Sequence, residues 1–441
     1  MTRNLRVLVI AEAANPIWVS VPLVGWNTAN ALRAVADTHI VTQVRNRQAI
    51  ASQGLVEGRD FTAIDSEALA APFYRMADRL RGGAGKGWTT VTALQSLSYP
   101  YFEHLVWRRF GASIKAGAFD LVHRVTPLSP TSPSLLARRC RQAGVPFLLG
   151  PLNGGLPWHP DFRRERIKER EWLSFVRKAY SFLPMVRSTY RNASAIIAGS
   201  THTASELDRF KRPTIYIPEN GIDTERFAFA ARNRSSGDPL NLVFVGRLVP
   251  YKGADIAIEA CRSLLQSGRA KLDIIGDGPD AAALRSLVDR LGINEAVTLH
   301  GWKTHEEVAQ HLQRADMLIF PSVREFGGGV VLEAMASGVV PLVVDYGGPG
   351  ELVNRATGFA VPIGPRHALV ERVEEAVNAV ARGDHDLSTM SSAAAKRVEA
   401  LYSWRAKAEQ IRSVYEWLLA GNGSDTPPDF GFIDEQAERV A

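Results

Sequence analysis

Short apolar runs alternate with helix-like segments along most of the chain. In the first half the runs Arg6–Ile10, His39–Val44, Leu121–His123, Phe147–Leu149 and Ala195–Ala198 read as buried strands. In the second half Leu242–Val245, Lys271–Ile275, Ala296–His300, Met317–Phe320 and Val340–Val344 repeat the pattern after a break at Tyr216–Asp223. Strand and helix in alternation, with apolar rather than alternating strands, predict parallel sheets covered on both faces. Two such series predict an α/β protein of two doubly wound, Rossmann-like domains. The expected boundaries are 1–215, with a returning helix near 401–420, then 216–400, and a disordered tail at 421–441 rich in Gly, Pro and acids. Ligands of such sheets bind beyond the carboxyl ends of the strands, so a cleft between the two domains is the expected site.

Composition narrows the class. A chain of 441 residues exceeds one ordinary core. Its 46% hydrophobic and 22% charged residues are ordinary for a globular protein. The apolar runs fall short of the roughly 20 residues a membrane span needs. Met1–Ala14 has a charged lead and an apolar run like a signal peptide, but Val7–Ile10 is brief and Glu12 follows at once, which favours a first strand. Cys140 and Cys261 lie too far apart in sequence to imply a disulfide frame or metal cluster, and a cytoplasmic location is expected. The 52 basic and 46 acidic residues leave a net charge of +6, which suits an anionic ligand or membrane surface better than a nucleic acid.

The richest chemistry lies in Glu325–Glu333, EFGGGVVLE, where a buried strand meets a glycine turn and a helix start. Amides at a helix start, here from Phe326, Gly327, Gly328, Gly329 and Val330, form a phosphate cradle. Glu325 and Glu333 flank it and would accept from hydroxyls; the alternative is that Glu333 salt-bridges on a helix face and Glu325 is a loop charge. Upstream, LVFVGRLVPYKG presents Gly246, Arg247 and Lys252, two cations able to clamp a diphosphate. Gly276, Asp277 and Gly278 form a turn after the next strand, which either lines a nucleotide base or phosphate pocket or is a plain tight turn, and Trp302 follows the strand after that, either at a base or simply packed. Tyr346–Glu351 supplies another glycine turn. Gly82–Gly87 lacks the spacing of a phosphate loop and reads as a surface loop.

In this order the motifs resemble the retaining nucleotide-sugar glycosyltransferases of the GT-B fold, family 4, most clearly over about 216–360. The resemblance implies that Arg247 and Lys252 bind the donor diphosphate, Glu325 the donor sugar and Glu333 the ribose. It implies front-face displacement with no enzymatic nucleophile, and no cofactor or metal. The sequence has no DXD triplet at a strand end. After the first strand the family's paired glycines are replaced by a loop with Gly25 alone. Where the family places His-x-His, the chain has His123 and Val125, so His123 is a candidate catalytic residue or a structural one. GPLNGGLP resembles a loop of one family branch and makes Asn153, Gly154 and Gly155 candidates on the acceptor side. LYSW at Leu401–Trp404 resembles the element that crosses back to the first domain.

Asp161–Arg191 carries nine basic and four acidic residues, with Trp172, Phe175, Val176, Ala179 and Leu183 on one helical face. Such a segment is either a core helix with a solvated back or a peripheral anchor on anionic lipid at the inner face of the plasma membrane. The implied partners are a nucleotide-diphosphate sugar and a glycan or lipid-linked acceptor, with no nucleic acid. A sugar-nucleotide epimerase and a non-catalytic nucleotide-sugar sensor of the same fold are the competing readings. A phosphorylase would want a pyridoxal lysine site, which is not evident.

Overall fold

The computed structural model describes residues 4–68, 88–154, 156–163, 165, 183–231, 237–421 and 426–433. The expected pair of doubly wound parallel sheets is present. The first contains β1 (Arg6–Ala11), β2 (Asp37–Gln43), β3 (Phe61–Ile64), β4 (Leu121–Thr126), β5 (Phe147–Leu152), β6 (Ala195–Ala198) and β7 (Thr214–Tyr216). Their order is β3-β2-β1-β4-β5-β6-β7. The second contains β8 (Leu240–Val245), β9 (Ala270–Ile275), β10 (Val297–Gly301), β11 (Met317–Phe320), β12 (Val340–Asp345) and β13 (Phe359–Pro362), in the order β10-β9-β8-β11-β12-β13. In each sheet the chain therefore starts mid-sheet, winds outward, and crosses back over its first strand to wind the other way.

The reason is visible strand by strand. β4, β5, β6 and β11 are buried at every residue, as a parallel strand covered on both faces must be. In the first sheet one cover is the Trp88–Lys115 helix, whose Phe102, Val106, Phe110 and Ile114 recur every fourth residue. They enter one core with Leu8, Ile10, Val122, Phe147 and Leu149. Glu103, fully buried beside them, accepts from the Ser134 hydroxyl at 2.7 Å and the Leu136 amide at 3.1 Å, closing the start of the Leu135–Gln142 helix.

Three strands carried no apolar run long enough to be expected: β3, β7 and β13. All three are sheet edges, of four, three and four residues. An edge strand pairs on one side only and keeps a wetter face, so its hydrophobic signal is thin.

One compact unit comprises Met1–Pro157, Arg166–Glu219 and Trp404–Phe430; the other comprises Trp158–Glu165, Asn220–Ser403 and Gly431–Ala441. The Trp404–Leu419 helix thus belongs with the first sheet. Late in the chain Phe432 is buried, its ring 5.4 Å from Tyr402, and its carbonyl accepts from Arg397 at 2.7 Å. Among the described residues no helix is long and apolar enough to cross a membrane.

Candidate functional site

In the second unit, backbone contacts stack the predicted turns at the carboxyl ends of the strands. The Gly246 amide donates to Ile275, the Gly276 amide to Gly301 at 2.8 Å, and the Leu248 amide to Asp277 at 3.0 Å. This explains the glycines locally. A Cβ on Gly276 would lie 1.9 Å from the Gly246 carbonyl, and one on Gly278 2.2 Å from that of Leu248. Asp277 accepts from the Gly278 amide at 2.7 Å and so fixes its own turn.

The next turn brings together residues 73 apart in sequence. Past β8 the chain makes a 3₁₀ turn at Pro250–Lys252, and the Tyr251 carbonyl accepts from the Val323 amide and the Ser322 hydroxyl. Gly253, at φ +76°, presses on Pro321, where a Cβ would stand 2.5 Å from the carbonyl. So held, the Lys252 ammonium pairs with the Glu325 carboxylate, and sits 5.2 Å from the Phe320 ring centre. Burial, then the Arg247 charge, lower the Lys252 ammonium to about 8. Arg247 is exposed.

Glu325 bridges to Gly347, and the Gly348 amide donates to its carbonyl at 3.3 Å. Gly327 and Gly328 carry the chain into the Gly329–Ala336 helix; Gly328 caps it at φ +64°, with no side-chain hydrogen bond at the cap. Amides of Gly329 and Val330 open this helix, and Glu333 lies one turn on. Glu333 is partly buried, and desolvation raises its carboxyl to about 7, with Arg226 pulling the other way. Trp302 is 71% exposed, so the expectation of simple packing does not hold for it.

The first unit treats its candidate residues differently. His123 is fully buried and uses both ring nitrogens: Nε2 donates to the Gly150 carbonyl at 2.7 Å, so Nδ1 accepts from the Tyr415 hydroxyl at 2.7 Å. Burial lowers this imidazole to about 4. The catalytic candidacy of His123 gives way to its structural alternative, because no ring nitrogen remains for a ligand. Gly25 is likewise required by the protein itself. A Cβ there would fall 2.1 Å from the Ala13 carbonyl and 2.8 Å from the Thr126 methyl, so close packing of its helix already demands the missing side chain. Asn153 accepts from the Ser200 hydroxyl at 3.0 Å, and the Gly154 carbonyl from Thr203 at 3.2 Å. Gly155, Gly82–Gly87 and most of the basic amphipathic segment, including Trp172, Phe175, Val176 and Ala179, lie outside the described residues.

Two features escaped the sequence reading. Arg324, almost fully buried, lies 4.8 Å from the Trp158 ring centre and 5.1 Å from that of Phe326, directly before Glu325. Trp158 also meets Tyr251 edge-on at 5.9 Å, so a residue of the first half of the chain lines the Lys252 turn. Glu12 stands just past β1, and desolvation raises its carboxyl despite Arg45. A carboxylate directly after a buried parallel strand was the available signal.

The stacked glycine turns, the Lys252–Glu325 pair and the glycine-capped helix all fall within one stretch of sequence. Residues 225–396 match the family of glycosyl transferases group 1. Among curated relatives, the amylovoran biosynthesis glycosyltransferase AmsK of Erwinia amylovora is 29% identical, over 46% of this chain and 51% of its own. The GDP-mannose-dependent alpha-mannosyltransferase of Mycobacterium tuberculosis is 31% identical, over 52% and 58%. The chain thus spans about half the length of these relatives. HepE of Anabaena, solved with UDP and glucose, superposes with a TM-score of 0.55 at 18% identity, covering 92% of this chain and 98% of its own. That likeness shows the fold, the two-sheet GT-B architecture.

Proposed function

We propose that the chain is a retaining glycosyltransferase that moves a hexosyl unit from a nucleotide-diphosphate sugar to a glycan or lipid-linked glycan, in polysaccharide or glycolipid biosynthesis. The observation that carries it is the Lys252–Glu325 pair beside the glycine-capped helix start. It sets a cation and helix amides where a diphosphate's charge can be met, next to a carboxylate able to hold a sugar hydroxyl. The names of the relatives and the donor-derived ligands of HepE support the same reading.

In this reading the departing nucleoside diphosphate gains negative charge, which Lys252, Arg247 and the amides of Gly329 and Val330 offset without a metal. Glu325 exchanges its lysine contact for a donor sugar hydroxyl. Glu333, its carboxyl raised to about 7 by burial and so about half protonated at neutral pH, meets the ribose hydroxyls. The acceptor hydroxyl attacks from the face the diphosphate leaves, which takes up its proton. Bond making and breaking on one face retains the anomeric configuration. The test is thermal stabilisation by UDP-, GDP- and ADP-sugars, followed by slow donor hydrolysis in wild type and Glu333→Ala. A midpoint shift for one nucleotide class with hydrolysis lost in the variant supports the reading. No shift for any donor in folded protein sinks it.

The acceptor side includes an anionic membrane surface at the cytoplasmic face. The basic segment before Leu183 supports this, as do Leu183 and Met185, which are exposed. Vesicles containing anionic lipid should carry the protein in flotation, and neutral vesicles should not; equal behaviour with both counts against it.

A further inference from the structure

We propose that Asp273, His300 and His311 form a binding site for a divalent transition metal of the zinc class, separate from the donor residues. One ligand atom from each of the three lies within 4.8 Å of the others. His300 Nε2 is 2.8 Å from Asp273 Oδ1, His311 Nδ1 is 3.7 Å from Asp273 Oδ2, and the two imidazole centres are 4.5 Å apart.

The backbone builds this cluster. Asp273 lies in β9 opposite Thr298 of β10, and Ile274 lies opposite Leu299. The next pair is Ile275 with Gly301, so His300 is the extra residue of a β-bulge. β10 is an edge strand, and a bulge on an edge re-aims a side chain that regular pairing would fix elsewhere. His311 comes from the last turn of the His305–Leu312 helix, which a Thr304–Glu307 capping box holds at its start. A strand, a bulge and a capped helix thus converge on one point, as a preorganised ligand set requires.

The donor set selects the metal. Two imidazoles and one carboxylate suit zinc, cobalt or nickel, whereas magnesium and calcium prefer oxygen ligands. The side chains are 45%, 23% and 18% exposed for Asp273, His300 and His311, which leaves a path for the ion and a fourth position for water. A bound ion would pin β10 to β9 directly before Gly301, whose carbonyl holds the Gly276 turn.

The full chain, stripped with chelator, would be titrated with Co²⁺ and then Zn²⁺, following visible absorption and the thermal midpoint. We expect one equivalent of Co²⁺ to give the intense absorption of a low-symmetry site. Zn²⁺ should displace it and raise the midpoint. Asp273→Asn and His311→Ala should each weaken binding by more than the roughly 10- to 100-fold that losing an outer-shell partner costs. His367→Ala, an exposed histidine of another helix, should bind as wild type does. Asp273→Asn is nearly isosteric, and its far-UV spectrum would show that the fold persists. Absence of the absorption in folded wild type, or binding that survives both ligand substitutions, overturns the proposal.

Discussion

The two sheets share one winding order, yet they spend their polar groups in opposite ways. Within β4 and just past β5 of the first, His123 and Asn153 are hydrogen-bonded to protein, and Gly25 is consumed by packing. Past β8 and β11 of the second, Arg247 is exposed, Lys252 and Glu325 pair with each other at a partly open surface, and a helix begins on glycine. Identical topology therefore does not allot chemistry to both halves. The loops decide it, and a site-like residue type gains meaning only from what already satisfies it.

The largest effect should come from breaking the second half's pair. Lys252→Ala should lower kcat by roughly 10²–10³, equivalent to losing one oxyanion donor, with the fold intact by circular dichroism. Unaltered turnover would remove the contrast between the halves. Next, Glu333→Gln should stabilise the protein. The free carboxyl titrates at 4.5 and the folded one at about 7, so the unfolded chain loses its proton first as pH rises. Glu333 therefore costs stability progressively between those values and fully above them, up to about 3 kcal/mol. Urea unfolding at pH 8 should show the gain, and the gain should vanish below pH 4.5.

The first half's histidine responds with the opposite sign. His123 titrates at about 4 when folded against 6.5 when free, so its contribution is complete above 6.5 and is lost as pH falls toward 4. Tyr415→Phe removes its hydroxyl partner and should cost about 2 kcal/mol at neutral pH, read from urea midpoints. A catalytic His123 would instead show its loss in turnover at unchanged stability. The smallest effect should follow Arg324→Lys, which gives up the guanidinium contacts with the Trp158 and Phe326 rings for about 1 kcal/mol. Chemical denaturation would register it.

Much of this was legible in the chain. Buried central strands announce themselves by unbroken apolar runs, and both sheets were found through β1, β4, β5, β8, β9 and β11. The edges β3, β7 and β13 were silent because each is only three or four residues long, too short for a clear apolar run, whereas the five-residue edge β10 was read. At the site, sequence gathered Lys252 and Glu325 by motif, but the contact between them depends on Tyr251 meeting Ser322 and Val323, a long-range pairing without local signature. Gly276 and Gly278 read as ligand glycines, whereas their lack of Cβ is demanded first by neighbouring backbone. Trp158 was invisible because its partners lie far downstream in sequence.

That Trp158 belongs to the second unit also governs how the molecule can be cut. The second unit is assembled from Trp158–Glu165, Asn220–Ser403 and Gly431–Ala441, so no single continuous clone encodes it. A fragment starting at Asn220 and ending at Ser403 would contain the stacked glycine turns, the Lys252–Glu325 pair and the glycine-capped helix. It would still expose the flank of Arg324 and Tyr251 that Trp158 covers, and the Tyr402 ring that Phe432 covers. Gene fusions and domain exchanges between related chains should therefore carry all three pieces from one parent.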